Sequence, residues 1–330
     1  MKFGIIGYGR MGKVYHEILS HLGFELNFIC DVVKTNSSIQ YYNDYKMAID
    51  ESSIDGIVIA TYGPSHNEIV KYAIDANIKY IVCEKPFTTS VKHADEIIAS
   101  LKSSKTRLAV NYSRRFSQIY SNLKNDLHMN NLIGKPRTII MTCGAGGLSA
   151  TGTHFLDLCS YLLDDKIKSV YAISVNKNLP NPRGKQFEDP GGYVLLTYQN
   201  ESRAYIDMGD DLGLQHFIEI IGEYGRIFID ESNQNITIRS RTIEDREKPK
   251  HLYSLPNPTI RNDVFNIGTL SELIETMLKN LVSESKLVVS AEVAKESVEI
   301  YSAIRKSHDT KKPVVLPLDD EYYEKEFMVT

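Results

Sequence analysis

The chain has 330 residues, more than one ordinary hydrophobic core organises, so two domains are expected. Hydrophobic residues make up 42% of it and charged residues 24%, a composition that is typical of folded globular proteins and excludes a disordered chain. The formal net charge is −4 and the basic residues form no continuous stripe, which argues against nucleic acid as a partner.

Neither the cysteines nor the N-terminus indicates a disulfide-rich, metal-binding or membrane protein. The N-terminal apolar run, Phe3–Ile6, is too short for a signal-peptide core, and no run of membrane-spanning length follows. We therefore expect a cytoplasmic protein with no membrane partner. Four scattered cysteines, without a CxxC pair or Cys/His ligand spacing, predict neither disulfides nor a bound metal: Cys30, Cys83, Cys143 and Cys159.

Residues 1–120 alternate short apolar runs with helix-like segments. The runs suit strands buried on both faces of a parallel sheet, and the segments between them have helical periodicity. The alternation predicts βαβ units and a doubly wound Rossmann domain. The five predicted strands are Phe3–Ile6, Leu26–Cys30, Ile57–Ala60, Tyr80–Cys83 and Leu108–Val110.

Residues 121–330 predict an α+β domain built on a large, mostly antiparallel sheet, because strands follow one another through short connections. Three helices are expected, at Thr153–Leu163, Leu270–Leu281 and Ala291–Lys306. The predicted strands are Arg137–Cys143, Ser169–Val175, Tyr193–Tyr198, Arg203–Met208, Phe217–Ile221, Arg226–Ile229 and Asn235–Arg239.

Several of these strands are apolar at consecutive positions, as at 194–196 and 217–221. In a sheet covered by helices on one side only, apolar and polar residues would alternate along each strand. A partner subunit is therefore expected on the second face of this sheet, giving a homodimer or homotetramer. The segment 179–192, rich in Pro, Gly and charge, is either a loop that edges a ligand site or a plain surface connection.

The loop Gly7-Tyr8-Gly9-Arg10-Met11-Gly12 follows the first strand and opens a helix. In this context the first glycine permits a tight turn, the second admits a pyrophosphate, and the third allows close helix–strand packing. Asp31 ends the second strand 19 residues after Gly12, where a carboxylate binds the ribose hydroxyls and repels a 2′-phosphate. The pattern predicts NAD as cofactor in preference to NADP, although Lys34 is close in sequence to Asp31.

Two further segments are candidates for chemistry. Lys85 precedes Pro86 at the carboxyl end of a strand, where open α/β sheets bind ligands, and the Lys85–Pro86 peptide is a candidate for the cis form. His154 lies in the first turn of a predicted helix, whose dipole favours a neutral base. From the residues alone, a solvated loop lysine and a structural histidine remain the alternatives.

Six ordered motifs between residues 3 and about 313 resemble the Gfo/Idh/MocA oxidoreductase family. The resemblance implies a Rossmann domain followed by a sheet domain that holds substrate and forms the oligomer. The motifs are GIIGYGRMG, then ATYGPSH (60–66), CEKP (83–86), NYSRRF (111–116), GTHFLD (152–157) and IEIIGEYGRI (218–227).

The resemblance also implies roles for individual residues. Lys85 is the lysine that holds nicotinamide and substrate in register and polarises the developing carbonyl, and His154 is the acid/base. The implied substrate is a sugar, cyclitol or nucleotide-activated sugar. Besides the glycine loop and Asp31, the cofactor-binding residues that follow are Thr61, His66, Glu84 and Lys85, and those that bind or orient substrate are Tyr112, Arg115 and Asp157.

The sequence departs from the family pattern at several positions. Many members have an aspartate four residues before the histidine, where this chain has Ala150; Asp157 then either orients His154 or favours the helix N-terminus. Tyr62 replaces a proline, and Ser113 an asparagine. For four basic residues, solvated surface charge is expected rather than contact with a substrate phosphate: Arg114, Arg115, Arg183 and Lys185.

Two other functions remain open at this level. A cofactor-binding regulator or sensor without turnover is favoured by Ala150 and disfavoured by the presence of both Lys85 and His154. A reductase of a non-sugar ring system shares the same Rossmann half.

Overall fold

The computed structural model describes residues 1–34, 38–144, 146–175, 181, 184–213, 216–249, 259–283 and 285–329. Among these residues, no helix combines the length and the apolar character needed to cross a membrane. All four cysteines are buried and unpaired.

The first sheet has six parallel strands in the order β3-β2-β1-β4-β5-β6. Its strands are apolar at consecutive positions because helices cover both faces. The predicted doubly wound sheet is confirmed, with one strand that the sequence did not indicate, the three-residue β3. The strands are β1 Lys2–Ile6, β2 Glu25–Cys30, β3 Gln40–Tyr42, β4 Gly56–Ile59, β5 Tyr80–Cys83 and β6 Arg107–Val110; the helices are α1 Arg10–His21, α2 Tyr45–Asp50, α3 His66–Asp75 and α4 Val91–Lys102.

The second sheet has nine strands in the order β14-β13-β12-β11-β7-β10-β9-β8-β15. Only the central β7–β10 pair is parallel among the strand pairs described. The mostly antiparallel sheet is confirmed, and the strands that sequence reasoning missed are the two at its edges. The strands are β7 Pro136–Thr142, β8 Ile167–Val175, β9 Gly191–Tyr198, β10 Arg203–Asp207, β11 Phe217–Gly222, β12 Gly225–Asp230, β13 Asn235–Ser240, β14 Thr259–Val264 and β15 Val314–Val315.

The helices of the second half connect the two sheets. The three predicted helices correspond to α6, α8 and α9, and α8 begins with a capping box formed by Thr269 and Glu272. α9 packs against both α4 and β8, and α8 packs against α1 and β6. The domain boundary expected at residue 120 stays a prediction; that residue lies in α5. These helices are α5 Gln118–His128, α6 Gly152–Leu163, α7 Ile243–Arg246, α8 Leu270–Val282, α9 Ala291–Thr310 and α10 Glu321–Glu324.

The face of the second sheet that points away from the helices carries a mostly apolar row of side chains, interrupted by Glu219 and called the apolar row below. Cross-strand pairing places Leu195, Tyr205, Ile140, Glu219 and Phe228 side by side on five neighbouring strands. Tyr205 is 45% exposed in the single chain, and Ile140 and Phe228 are exposed as well. A row of exposed aromatic and aliphatic side chains of this kind is typical of a protein–protein contact.

We expect this row to form a homo-oligomer interface. Light scattering after size exclusion should give a multiple of the 37.4 kDa chain mass, and Tyr205→Lys should shift it towards one chain because it buries a charge in the contact. Met129→Lys, at an exposed position in the turn after α5, is the control and should leave the mass unchanged. A wild-type protein of one chain mass at micromolar concentration contradicts the interface.

Candidate active site

The two domains enclose a cleft with a volume of about 1950 Å³. The order of the first sheet reverses between β1 and β4, and the carboxyl ends of these strands form one wall, as expected for a ligand site in an open α/β sheet. The opposite wall consists of the end of β7, a π-helical turn at Gly147–Thr151, the start of α6, and residues 186–190.

The three glycines of the first loop have three different surroundings. Gly7 has a φ of +87°, and a Cβ there would lie 2.6 Å from the carbonyl of Ala60. A Cβ on Gly12 would lie 2.1 Å from the carbonyl oxygen of Gly7, so α1 packs directly on the turn. A Cβ on Gly9 would meet nothing within 4 Å. The first and third glycines therefore serve the fold, and the second keeps space open at the cavity.

This loop fits the pyrophosphate of a dinucleotide. Gly9 is the N-cap of α1 and provides no side-chain acceptor for the first-turn N–H groups. Such groups bind anions at a helix N-terminus. At the far end of the cleft, the exposed Val32 and Val33 provide apolar surface of the kind that an adenine ring covers.

Most of the predicted cofactor-binding residues line the cavity, and three lie outside its lining. Tyr8 belongs to the second group; its backbone N–H donates to Asp31 Oδ2 at 2.6 Å. Those in the lining are Gly7, Gly9, Arg10, Met11, Asp31, Thr61, Glu84 and Lys85, and those outside it are Tyr8, Gly12 and His66.

Asp31 directly follows β2, and both of its carboxylate oxygens accept from backbone amides. Oδ2 accepts from Tyr8, and Oδ1 accepts from the N–H of Val33 at 2.8 Å. The Asp31 carbonyl accepts from the Tyr41 hydroxyl at 2.5 Å, so the otherwise unpredicted β3 helps to fix this residue. The Asp31 carboxylate is thus held at the edge of the cavity, beside the glycine loop.

His66 is buried beneath the cavity and holds two segments of its wall. Its Nδ1 lies 2.9 Å from the carbonyl oxygen of Pro86, and its Nε2 lies 3.1 Å from that of Thr61. Burial lowers the pKa of His66, so the ring is neutral and donates to one carbonyl at a time. His66 therefore positions residues that line the cavity, but it is not itself part of the lining.

Lys85 enters the cavity from the end of β5, and the Lys85–Pro86 peptide is cis, as the sequence suggested. Its Nζ donates to the carbonyl oxygen of Ala150 at 2.8 Å. The preceding Glu84 is buried, and its Oε1 accepts from the Tyr15 hydroxyl and from Asn111 Nδ2, each at 2.8 Å. These bonds fix the backbone from which Lys85 projects.

His154 is half-buried in the first turn of α6 and lines the same cavity as Lys85. Burial lowers its pKa well below the usual range, and the charges of Lys85 and Arg114 act in the same direction. The neutral base predicted from the helix dipole is therefore produced mainly by desolvation. Nδ1 of His154 is buried and has no hydrogen-bond partner among the described residues.

The expectations for Asp157 are wrong. Both of its carboxylate oxygens accept from Nε of Arg115, at 3.0 and 2.8 Å, so it is the buried counter-ion of that arginine and does not contact His154. The first turn of α6 contains no acidic residue, so Asp157 does not favour the helix N-terminus either. Tyr112 packs its ring edge-on against the His154 ring, with 5.9 Å between the centroids. These residues lie behind His154, outside the cavity lining.

A second histidine, His216, lines the cavity and was missed in the sequence. Its Nδ1 lies 3.3 Å from Oε2 of Glu231, whose carboxylate also accepts from Arg114 at 3.0 and 2.8 Å and from the Tyr120 hydroxyl. Hydrogen bonding to Cys143 and Glu231 raises the pKa of His216 to about 9. The available signal was hairpin register: Phe217 pairs with Asp230, which places residues 216 and 231 opposite each other.

The basic residues considered for substrate phosphate have different surroundings. Arg114 and Arg115 are not solvated; each forms a buried ion pair, which corrects the expectation of surface charge. Lys185 is exposed and outside the cavity lining, and Arg183 lies outside the described residues. In the segment 179–192, residues 186–190 line the cavity, and the Asp189 carboxylate accepts two backbone N–H groups of the turn Gly147–Thr151.

Comparisons with known proteins agree with this architecture. Residues 1–112 match a family model for an NAD-binding Rossmann fold of an oxidoreductase family, and residues 142–316 match the C-terminal α/β domain of the same family. The myo-inositol 2-dehydrogenase of Thermotoga maritima is 25% identical over 96% of this chain and 98% of its own. YrbE, an uncharacterized oxidoreductase of Bacillus subtilis, is 26% identical over 76% of this chain and 80% of its own.

Solved structures share the fold at low identity. An oxidoreductase from Agrobacterium radiobacter, in complex with NAD+, L-tartaric acid and magnesium, has a TM-score of 0.79 at 18% identity and covers 96% of this chain and 98% of its own. The WlbA dehydrogenase from Bordetella pertussis, in complex with NADH and UDP-GlcNAcA, has a TM-score of 0.76 at 17% identity and covers 97% of this chain and 99% of its own.

The glycine surroundings predict opposite effects of two matched substitutions. Gly12→Ala places a methyl against the Gly7 carbonyl and should lower the free energy of unfolding by about 1–3 kcal/mol. Gly9→Ala meets open space, so it should leave stability nearly unchanged and weaken NAD binding at least about tenfold, because the methyl occupies the space left for pyrophosphate. Urea unfolding and calorimetric titration measure both; equal effects of the two variants on stability contradict the assignment.

The ion pair of His216 predicts a pH-dependent stability. Because the folded pKa is raised above the unfolded value, the stabilisation is fully present below about pH 6.5 and is lost as pH rises through about 9. Partial exposure reduces the effect, which we expect to be about 1–2 kcal/mol. Urea unfolding between pH 6 and 10 should show this loss in the wild type and a flatter curve in His216→Asn; parallel curves contradict it.

Proposed function

Because the chain belongs to the Gfo/Idh/MocA oxidoreductase family, we propose that it transfers a hydride between NAD and a hydroxyl-bearing carbon of a sugar, cyclitol or nucleotide-activated sugar. The observation that carries the proposal is the position of Lys85 and His154. They come from different domains and line one cavity, close enough for the charge of Lys85 to lower the pKa of His154, and the same cavity contains a glycine loop that fits a dinucleotide.

The proposed reaction converts a secondary alcohol and NAD+ into a ketone, NADH and a proton. Held at the glycine loop and Asp31, NAD+ would supply the acceptor for the hydrogen of the reacting carbon and the electron pair of its C–H bond. The hydroxyl proton leaves towards His154, and the oxygen becomes a carbonyl. In the reverse direction, His154 returns the proton to that oxygen.

His154 suits the role of base at neutral pH. A histidine must be unprotonated to accept the hydroxyl proton, and burial holds the pKa of His154 well below its usual range. The low pKa also weakens the driving force for proton transfer, because a less basic ring binds the proton less tightly. Among the residues that the structure describes, no carboxylate contacts Nδ1 of His154. The edge-on packing of Tyr112 is therefore the contact seen to restrain the ring.

Lys85 suits the role of electrophile. Its ammonium group is held by the Ala150 carbonyl and by the fixed backbone beside Glu84, within the cavity. An ammonium has three donors, so the group can bind the substrate oxygen while keeping that bond. As the hydroxyl becomes a carbonyl, the positive charge stabilises the electron density that develops on the oxygen.

Charge at the adenosine end of the cavity supports NAD in preference to NADP. Asp31 and Asp44 both line that end, and carboxylates there favour the ribose diol of NAD over the 2′-phosphate of NADP. Arg10 also lines the cleft, and Lys34 does not. Neighbouring structures in complex with NAD+ or NADH support the same choice.

The substrate class is supported by polar lining and by the relatives. The part of the cavity beyond Lys85 is lined by Asn111, Ser113 and Thr151, which suit a compound with several hydroxyl groups. Inositol dehydrogenases recur among the relatives, and one structural neighbour holds a nucleotide sugar. Membership of an oxidoreductase family disfavours the regulator without turnover.

Removing either proposed catalytic group should separate chemistry from cofactor binding. Lys85→Ala and His154→Ala should each lower kcat by about 10²–10⁴-fold, because each group acts on the reacting oxygen, and should leave the Kd for NAD within a few-fold. NADH formation with myo-inositol and a panel of sugars and nucleotide sugars measures the first effect, and calorimetry the second.

The control is Lys168→Ala, which removes an exposed lysine of β8 that is outside the cavity lining. Its turnover should equal that of the wild type. Turnover of His154→Ala at the wild-type rate would remove His154 from the mechanism.

A further inference from the structure

We propose that Asp189 is a positioning residue for Lys85, acting through the π-helical turn Gly147–Thr151. It supplies a carboxylate from a distant segment of the chain beside the position where the family pattern has one and this chain has Ala150. The inference rests on the proposed function, because it gives Lys85 its role.

The carboxylate of Asp189 holds two successive amides of the turn. Its Oδ1 accepts from the N–H of Ser149 at 2.6 Å, and its Oδ2 accepts from the N–H of Ala150 at 2.8 Å. The carbonyl of the next residue, Pro190, accepts from the N–H of Leu148 at 3.1 Å. Three consecutive amides that precede α6 are therefore bound by residues 189–190, which satisfies donors that a helix start leaves open.

Gly147 makes this approach possible. Its φ is +69°, and a Cβ there would lie 2.2 Å from Oδ2 of Asp189. Any side chain at this position would displace the carboxylate, since glycine alone has no Cβ and adopts positive φ without strain. The turn and Asp189 are thus fitted to each other.

The turn connects Asp189 to Lys85. Ala150 donates its N–H to Asp189 and accepts, through its carbonyl, the Nζ of Lys85 at 2.8 Å. The turn leads directly into α6, which carries His154 in its first helical turn. Because Lys85 projects from β5 and His154 from α6, a shift of this turn changes the distance between the two side chains.

The chemistry of the contact requires a carboxylate. An asparagine presents one oxygen and one NH2 group, so one of the two amides at 149 and 150 would face a donor in place of an acceptor. Asp189→Asn keeps the shape of the side chain and removes this bidentate acceptor, which makes it the informative variant. Asp189→Glu keeps the charge and is the conservative variant.

The kinetic test uses both variants with a matched control. Asp189→Asn should lower kcat by about tenfold to a hundredfold, as expected for misplaced catalytic groups, with the KM for NAD unchanged and partial recovery in Asp189→Glu. The control is Asp165→Asn, since Asp165 is also half-buried and accepts a long-range backbone N–H, from Asn200 at 2.7 Å, outside the cavity lining. A kcat for Asp189→Asn equal to that of the control overturns the proposal.

A second readout needs no substrate and separates this inference from the proposed function. Lysines are dimethylated with 13C-formaldehyde, and the Lys85 NMR signal is assigned by its loss in Lys85→Arg. Asp189→Asn should shift or broaden that signal and Asp165→Asn should not, with thermal melting confirming that both fold. An unmoved Lys85 signal overturns the positioning role even if the enzyme is active, whereas a moved signal without turnover of any carbohydrate leaves it supported and contradicts only the proposed function.

Discussion

The site depends on holding two sheets at a fixed distance, because its two principal groups come from different sheets. Lys85 projects from the end of a Rossmann strand, and His154 from the helix that covers the second sheet. Helix α9, buried along much of its length, packs on α4 and on β8 together, while α8 packs against α1 and β6. The chain thus returns to its first domain after completing its second, and hydrophobic burial along these helices sets the width of the cleft.

The local sequence pattern was sufficient to predict the architecture, because buried parallel strands, amphipathic helices and glycine turns are encoded in neighbouring residues. It missed β3 and the two edge strands, which are short or polar and are defined by their partners. It predicted the tight turn at Gly7 and the close packing at Gly12, where a Cβ would meet backbone atoms, whereas the pyrophosphate role of Gly9 stays a prediction. It gave the wrong partner for Asp157, whose counter-ion lies 42 residues away, and overlooked His216 and Asp189, whose contacts depend on strand register and on a distant loop.

Two of the histidines that line the cavity, His154 and His216, have opposite electrostatic surroundings. Desolvation near Lys85 and Arg114 holds the pKa of His154 low, whereas contact with Cys143 and Glu231 holds that of His216 high. Glu231 also accepts from Arg114, so a single buried carboxylate compensates two cations. The His154 ring is therefore neutral at neutral pH, whereas the His216 ring, which packs edge-on against Phe155, is positively charged. Pairs of titratable groups separated in this way are characteristic of sites that move protons.

The apolar row on the second sheet faces away from the cavity, since α6 and its histidine lie on the other side of the same strands. Each strand thus presents one set of alternate residues to solvent and the other to the helices behind the site. A substitution in one set therefore leaves the contacts of the other set in place. The residues of the proposed homo-oligomer contact can change without altering the chemistry of the cleft, and the cleft can change without disrupting that contact.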